Sequence, residues 1–243
     1  MSLIIAVTSG KGGVGKSTVS AGLATAFAHK GKRTLVLDMD GGLRCLDLIF
    51  GVDQTAVFDL ADVLQGKDLS EAVYPVDGIS NLYLIPAPAK AGQIDPARFG
   101  EFVLQIEHAY DVILFDFPAG MNFTLYEQLP ENTVFLTVAT ADPVSVRDAA
   151  TVSSSLEEME RSAVLLLNRF RYRLSKKGIF RNIDDVIDDA GLRLIGIIPE
   201  SEECDLLSVR HTFKPHGKVL LAFLRVAGRL CGETIFLPKP KTI

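Results

Sequence analysis

Eight consecutive residues carry the strongest chemical signal in the 243-residue chain: Gly10-Lys11-Gly12-Gly13-Val14-Gly15-Lys16-Ser17. Glycines in such a run let backbone N–H groups turn inward around an anion with no Cβ in the way. A helix opening at the end of the run adds unpaired N–H donors and the positive end of its dipole. Lys16 then supplies a charge for the β- and γ-phosphates of a nucleotide, and the Ser17 hydroxyl is a hard oxygen ligand for Mg²⁺. The expected nucleotide-contacting residues are Gly10, Lys11, Gly12, Gly13, Val14, Gly15, Lys16, Ser17 and Thr18. Lys11 exceeds what the pattern G-x-x-x-x-G-K-[ST] needs; by itself it reads equally as a functional cation and as a solvated surface charge.

Carboxylates supply the other half of this chemistry. Asp38 and Asp40 close the apolar run Thr34–Asp38, two residues apart and on one side if the chain stays extended. Asp116 closes the run Val112-Ile113-Leu114-Phe115. Phosphoryl transfer needs acids at such strand ends to hold Mg²⁺ and to orient an attacking water, although aspartates there also serve as caps of turns and helices.

These side chains meet only if strands and helices alternate. Short apolar runs recur at Leu3–Thr8, Thr34–Asp38, Leu82–Pro86, Val112–Asp116, Val134–Val138, Ala163–Asn168 and Leu194–Pro199. Several are β-branched on both faces, as in parallel strands covered from two sides. Thr18–Lys30, Ala97–Tyr110, Val146–Glu160 and Lys218–Leu230 have helical period, and Gly31 is a C-terminal stop. The expected fold is α/β: a doubly wound, mostly parallel sheet with helices on both faces, three layers deep. The first run and first helix flank the glycine-rich stretch, which is the context a phosphate loop requires. One domain is expected, with its core over about 3–231 and a C-terminal tail over 232–243.

Composition narrows the class further. Acids exceed bases by five, which argues against a general nucleic-acid coat. Cys45, Cys204 and Cys231 include no C-x-x-C pair, against iron–sulfur and zinc frameworks and in favour of a reducing compartment. No signal-peptide pattern opens the chain, and Val219–Leu224, the longest apolar run, is far short of the ~20 residues of a spanning helix. A cytoplasmic location, peripheral at most to the inner membrane face, is the expectation.

The string Lys11-Gly12-Gly13-Val14-Gly15-Lys16-Ser17 resembles the deviant Walker A loop of the MinD/ParA class of P-loop ATPases. The segment Asp38–Gly51 is similar to switch I of the MinD branch and Asp116–Gly120 to its switch II. Ser145–Asp148 and Ile198–Glu200 match further segments, so the likeness runs from Ile4 to about Leu230. The resemblance implies an ATP/ADP- and Mg²⁺-binding homodimer that hydrolyses ATP slowly, is stimulated by an activator or effector protein, and acts in septum site placement. By that resemblance Lys11 reaches the partner's phosphates, Lys16 serves its own, and Asp40 positions water. Ser17, Asp38 and Asp116 serve the Mg²⁺ shell, Asn168 reads adenine, Pro199 and Glu200 line the base pocket, and Asp142 touches nucleotide across the dimer. The chain departs from the pattern at Cys45, usually Asn, at Asn122, usually Glu, and at Gly41-Gly42, which implies a looser switch I.

Membrane and DNA readings stay secondary. By the resemblance, the MinD branch typically ends in a short basic amphipathic membrane helix, whereas Glu233–Ile243 carries Pro238 and Pro240. Lys218–Leu230 is amphipathic but reads as core packing. Arg169, Arg171, Arg173, Lys176, Lys177 and Arg181 alternate with Phe170, Tyr172 and Phe180. This stretch suits phosphate in DNA or anionic lipid, or is a solvated loop beside the base pocket. A partition ATPase using DNA and a nucleotide-binding adaptor with little hydrolysis are the competing functions.

Overall fold

The computed structural model describes residues 2–172, 182–214 and 216–238. Strands β1 (Leu3–Thr8), β2 (Thr34–Asp38), β3 (Tyr74–Pro75), β4 (Leu82–Ile85), β5 (Val112–Asp116), β6 (Val134–Ala139), β7 (Ala163–Phe170) and β8 (Arg193–Pro199) form one sheet in the order β3-β4-β2-β5-β1-β6-β7-β8. All pairings are parallel except that of the two-residue edge strand β3 with β4. Neither β3 nor the short helices that follow β2 and β5 has a run long enough to announce itself by period.

Alternation along each strand divides the core. From β1, Ile5 and Val7 enter one apolar cluster, whereas Ile4 and Ala6 enter the cluster on the opposite face. The first face is covered by α1 (Lys16–His29) and by the last helix, which spans Lys218–Leu230. There Val219, Leu220, Phe223, Val226 and Ala227 are buried, so this amphipathic stripe is core packing. Gly22 is where the two helices meet: a Cβ on it would lie 2.2 Å from the Phe223 ring. Because that helix packs over it, α1 is buried nearly all round instead of on the single face expected.

On the other face lie α5 (Pro96–Ile106) and α7 (Pro143–Glu158). Phe99, Phe102, Val103 and Ile106 of α5 pack on Ile113 and Phe115. Asp95 and Asp142 are the N-caps of these helices and each is followed by proline, which is preorganised for the first helical position. The helices start earlier than their apolar period suggests because caps and prolines, not core residues, define the first turn. The chain between them includes α6 (Phe123–Tyr126), whose Tyr126 is fully buried, 4.8 Å from Phe117 and 5.1 Å from Phe135 in edge-to-face contacts. Between β2 and β4 lie α2 (Cys45–Phe50), α3 (Leu60–Leu64) and α4 (Leu69–Ala72). After β7 come α8 (Ile183–Ala190), α9 (Glu202–Asp205), α10 (Leu207–Arg210) and α11, the Lys218–Leu230 helix.

The tail is pinned from behind. The Arg229 guanidinium donates to the carbonyls of Ile195, Ile235 and Phe236, and Lys30 pairs with Glu233 at 2.7 Å. No helix among the described residues is long and apolar enough to cross a membrane. Arg173, Lys176, Lys177, Phe180 and Arg181 of the basic stretch, and Pro240 of the tail, lie outside the described residues.

Candidate functional site

Parallel strands leave their carboxyl ends on one edge of the sheet, and at the switch in strand order a crevice opens there. Here β1 is central, with β5 on one side and β6 on the other. The chain leaving β1 turns through Gly10–Gly15 into α1, with Gly13 at φ 81° and Gly15 at φ 91°. Both values are in the left-handed region that only glycine adopts at little cost. Gly10 is also required by space, since a Cβ there would come within 2.7 Å of the Asp148 carbonyl oxygen on α7.

Lys16 is buried at the head of α1. Burial pulls its ammonium below the ordinary lysine range, and the charges of Asp116 and Asp40 oppose that pull. Asp116 and Asp38 are register partners on adjacent strands, and each is 1% exposed. Burial pushes the Asp38 carboxyl up, and Asp116 beside it pushes the same way, against N–H donors from Leu46 and Asp40. Burial likewise raises Asp116, against the Ser17 and Ser20 hydroxyls and Lys16. The Ser20 Oγ donates to Asp116 at 2.9 Å. The loop motif does not single out Ser20; its only signal in the sequence is its place one turn after Ser17 on the same helix face.

Two buried, mutually repelling carboxylates beside a serine hydroxyl form a hard-oxygen donor set that suits Mg²⁺. No group of three or more His, Cys, Asp or Glu that could cage a metal occurs among the described residues. Ser17, Asp38 and Asp116 could together hold such a cation, with phosphates and water completing the shell, as is usual for Mg²⁺.

The chain does not stay extended past Asp38. It turns, so that the Asp40 N–H donates to Asp38 Oδ1 at 3.0 Å and the Leu46 N–H to Oδ2 at 3.0 Å. Asp38 thus caps the switch turn as well as facing Asp116, while Asp40 is half-buried. Gly41-Gly42 is not a slack hinge. A Cβ on Gly41 would sit 2.9 Å from the Lys90 carbonyl oxygen, and Gly42, at φ 93°, donates its N–H to Pro88 at 3.0 Å. Asn122 caps α6, and Cys45 opens α2. On the switch II side, the Gly120 N–H bonds the Ser9 carbonyl at 3.0 Å.

Lys11 is exposed on the loop. Burial raises the Asp142 carboxyl, but the Thr140 hydroxyl, the Ser145 N–H and the Lys11 charge outweigh it and hold the group below its usual range. The fold therefore brings Asp142, beyond the end of β6, within electrostatic reach of the first lysine of the loop.

A cavity of about 380 Å³ continues from the loop past Thr18, with Asn168, Arg169, Pro199, Glu200 and Cys204 in its wall. The three residues expected at the base pocket are thus brought together, at the adjacent ends of β7 and β8. Asn168 also holds the loop: its Nδ2 donates to the Val14 carbonyl at 2.8 Å. Arg169 Nη1 donates to the Gly13 carbonyl at 3.1 Å, and Arg171 pairs with Glu200. Two cations of the basic stretch are therefore engaged within the chain. Cys204, whose thiol burial pushes up to about 11, gave no signal in sequence; neither did Leu48, Ile49 and Leu207 in the same wall.

Comparison with known proteins gives a consistent picture. The family model for the CobQ/CobB/MinD/ParA nucleotide binding domain matches residues 5–212. The septum site-determining protein MinD of Bacillus subtilis is 31% identical over 241 residues, 95% of this chain and 90% of that protein. Among solved structures, the MinC:MinD cell division protein complex of Aquifex aeolicus matches with TM-score 0.89 at 33% identity, covering 98% of this chain and 99% of that one. MinD of Pyrococcus horikoshii complexed with Mg-ADP matches with TM-score 0.82 at 27% identity, covering 95% and 96%.

Proposed function

The chain belongs to the CobQ/CobB/MinD/ParA nucleotide binding family, and from that premise we propose that it is an Mg²⁺-dependent ATPase, a MinD-like switch in septum site placement. The observation that carries the reading is one continuous site: a glycine loop with buried Lys16, the Asp38–Asp116 pair, and a cavity ending at Pro199 and Glu200. Backbone N–H groups of Gly10–Thr18 cradle the phosphates, and Lys16 neutralises their developing charge. Mg²⁺, when bound, screens the phosphate oxygens from the two buried carboxylates. Asp40, at the open side of the switch turn, orients water for in-line attack on the γ-phosphorus; the product is ADP and inorganic phosphate. Asn168 meets the adenine edge while Pro199 and Glu200 close the pocket.

Lys11 is exposed at the loop surface, within the field of the Asp142 carboxylate, and in this reading it crosses to the phosphates of a second copy. Hydrolysis separates the copies, and an effector protein speeds it. The complex of the Aquifex relative with MinC supports a protein partner of this kind. Engagement of Arg169 and Arg171 inside the chain weighs against a DNA-tracking role for the basic stretch.

The experiment is sedimentation and phosphate release with Mg·ATP for the native chain, Lys11→Ala and Asp40→Ala. A native dimer with slow turnover, no dimer for Lys11→Ala and dimer without turnover for Asp40→Ala are expected. Equal background rates in native and Asp40→Ala would instead mean an adaptor that binds nucleotide without hydrolysing it.

A further inference from the structure

The loop reaches its phosphate-binding form only if specific peptide planes are turned the right way. Asn168 and Arg169 are consecutive residues at the end of β7, and alternation would send their side chains to opposite faces of the sheet. Arg169 instead adopts φ 51°, a left-handed conformation uncommon for a residue with a side chain. That turn brings both side chains onto one object. Asn168 Nδ2 holds the Val14 carbonyl at 2.8 Å, and Arg169 Nη1 holds the Gly13 carbonyl at 3.1 Å.

A trans peptide is planar, with its carbonyl and N–H pointing opposite ways. Donors that fix the carbonyls of Gly13 and Val14 therefore also fix the N–H groups of Val14 and Gly15, facing away from β7. Arg169 also lines the cavity where Pro199 and Glu200 lie, so one residue belongs both to the loop's support and to the base-pocket wall. Its neighbour Arg171 pairs with Glu200 in that wall, and the Phe170 carbonyl accepts from the Glu200 N–H at 3.2 Å.

We infer that Arg169 is a positioning residue: its guanidinium holds the Gly13–Val14 peptide carbonyl outward so that the loop amides face the phosphates, and so ties the base-pocket wall to the phosphate loop. For its ligand the inference rests on the nucleotide reading above; the hold on the loop exists without any ligand, which allows the two to be tested apart. The energy at stake is that of one charge-assisted hydrogen bond at an exposed site.

Arg169→Ala and Arg169→Lys are compared with the native chain in three measurements. Amide hydrogen exchange of the 11–15 segment is followed in ligand-free protein. Affinities are measured for Mg·ATP, for Mg·tripolyphosphate and for adenosine, and global stability is followed by urea midpoint. In Arg169→Ala, exchange of the 11–15 segment should quicken severalfold at an unchanged midpoint. Mg·ATP and Mg·tripolyphosphate should weaken by the same factor, about threefold to tenfold, with adenosine unaffected. Arg169→Lys, which keeps the charge but not the fork, should fall between.

Native exchange and native affinities in Arg169→Ala would overturn the inference. So would a loss borne by adenosine while tripolyphosphate binds normally, since Arg169 would then be a base contact. If the native chain binds no ATP yet exchange quickens in Arg169→Ala, the nucleotide reading fails and the hold on the loop stands.

Discussion

Replacing Asp116 by asparagine should stabilise the nucleotide-free protein while destroying its response to Mg·nucleotide. Asp116 is 1% exposed and lies beside the equally buried Asp38 across the β2–β5 pairing. Burial pushes its carboxyl to about 6 from an ordinary 3.8, so in the fold it resists ionisation. The raised value means that the folded state holds a proton the unfolded chain releases. No penalty exists below about pH 4; it grows as pH rises and is complete above the folded value. A shift of about two units is worth about 3 kcal/mol, and Asp38, relieved of its neighbour, adds to the gain. Asparagine keeps the shape, and the Ser17 and Ser20 hydroxyls can rotate to suit it. Urea unfolding in EDTA at pH 5 and pH 8 checks this. Asp116→Asn should exceed the native stability by about 1–3 kcal/mol at pH 8, with a smaller difference at pH 5. Mg·ADP should raise the native midpoint more at pH 8 than at pH 5 and leave the variant unmoved. A variant less stable than native at pH 8, with the same pH slope, would refute the argument.

Three further substitutions probe the frame. Gly22→Ala puts a methyl 2.2 Å from the Phe223 ring; overpacking less the helix-propensity gain costs about 1–2 kcal/mol, read as a lowered midpoint in thermal melts. Gly15→Ala forces a side chain into φ 91° and onto Asn168 Nδ2 at 2.4 Å; titration with Mg·ATP should show at least about a tenfold loss, since strain and a displaced Asn168 act together. Arg229→Ala strips donors from the Ile195, Ile235 and Phe236 carbonyls; limited proteolysis should then cut after Cys231 faster, with about 1–2 kcal/mol lost in urea.

Local chemistry made much of this protein legible before any fold was known. β1, β2 and β5 run Leu3–Thr8, Thr34–Asp38 and Val112–Asp116, as their apolar runs indicate, and α11 covers Lys218–Leu230 as its period indicates. These segments are read correctly because a buried strand or an amphipathic helix states its environment in its own residues. The phosphate loop is legible for the same reason: its glycines, lysine and serine are contiguous, and its anion chemistry is local.

Tertiary structure alone decided the rest, because it depends on which distant residues the sheet order brings together. That Asp38 faces Asp116 follows from β2 pairing β5, a contact between residues far apart in sequence. The same is true of Asp142 in the field of Lys11 and of Thr18 and Pro199 in the wall of one cavity. A spacing of two placed Asp38 and Asp40 on one side of an extended chain, but hydrogen bonding to Asp38 folds that segment into a turn. Gly41 looked like freedom and is in fact a close approach to Lys90. Arg169 read as one charge in a basic stretch, yet a single left-handed residue turns it onto the phosphate loop. Residue type determines what a side chain can do; the crossing of strands determines what it is next to, and no local pattern records that.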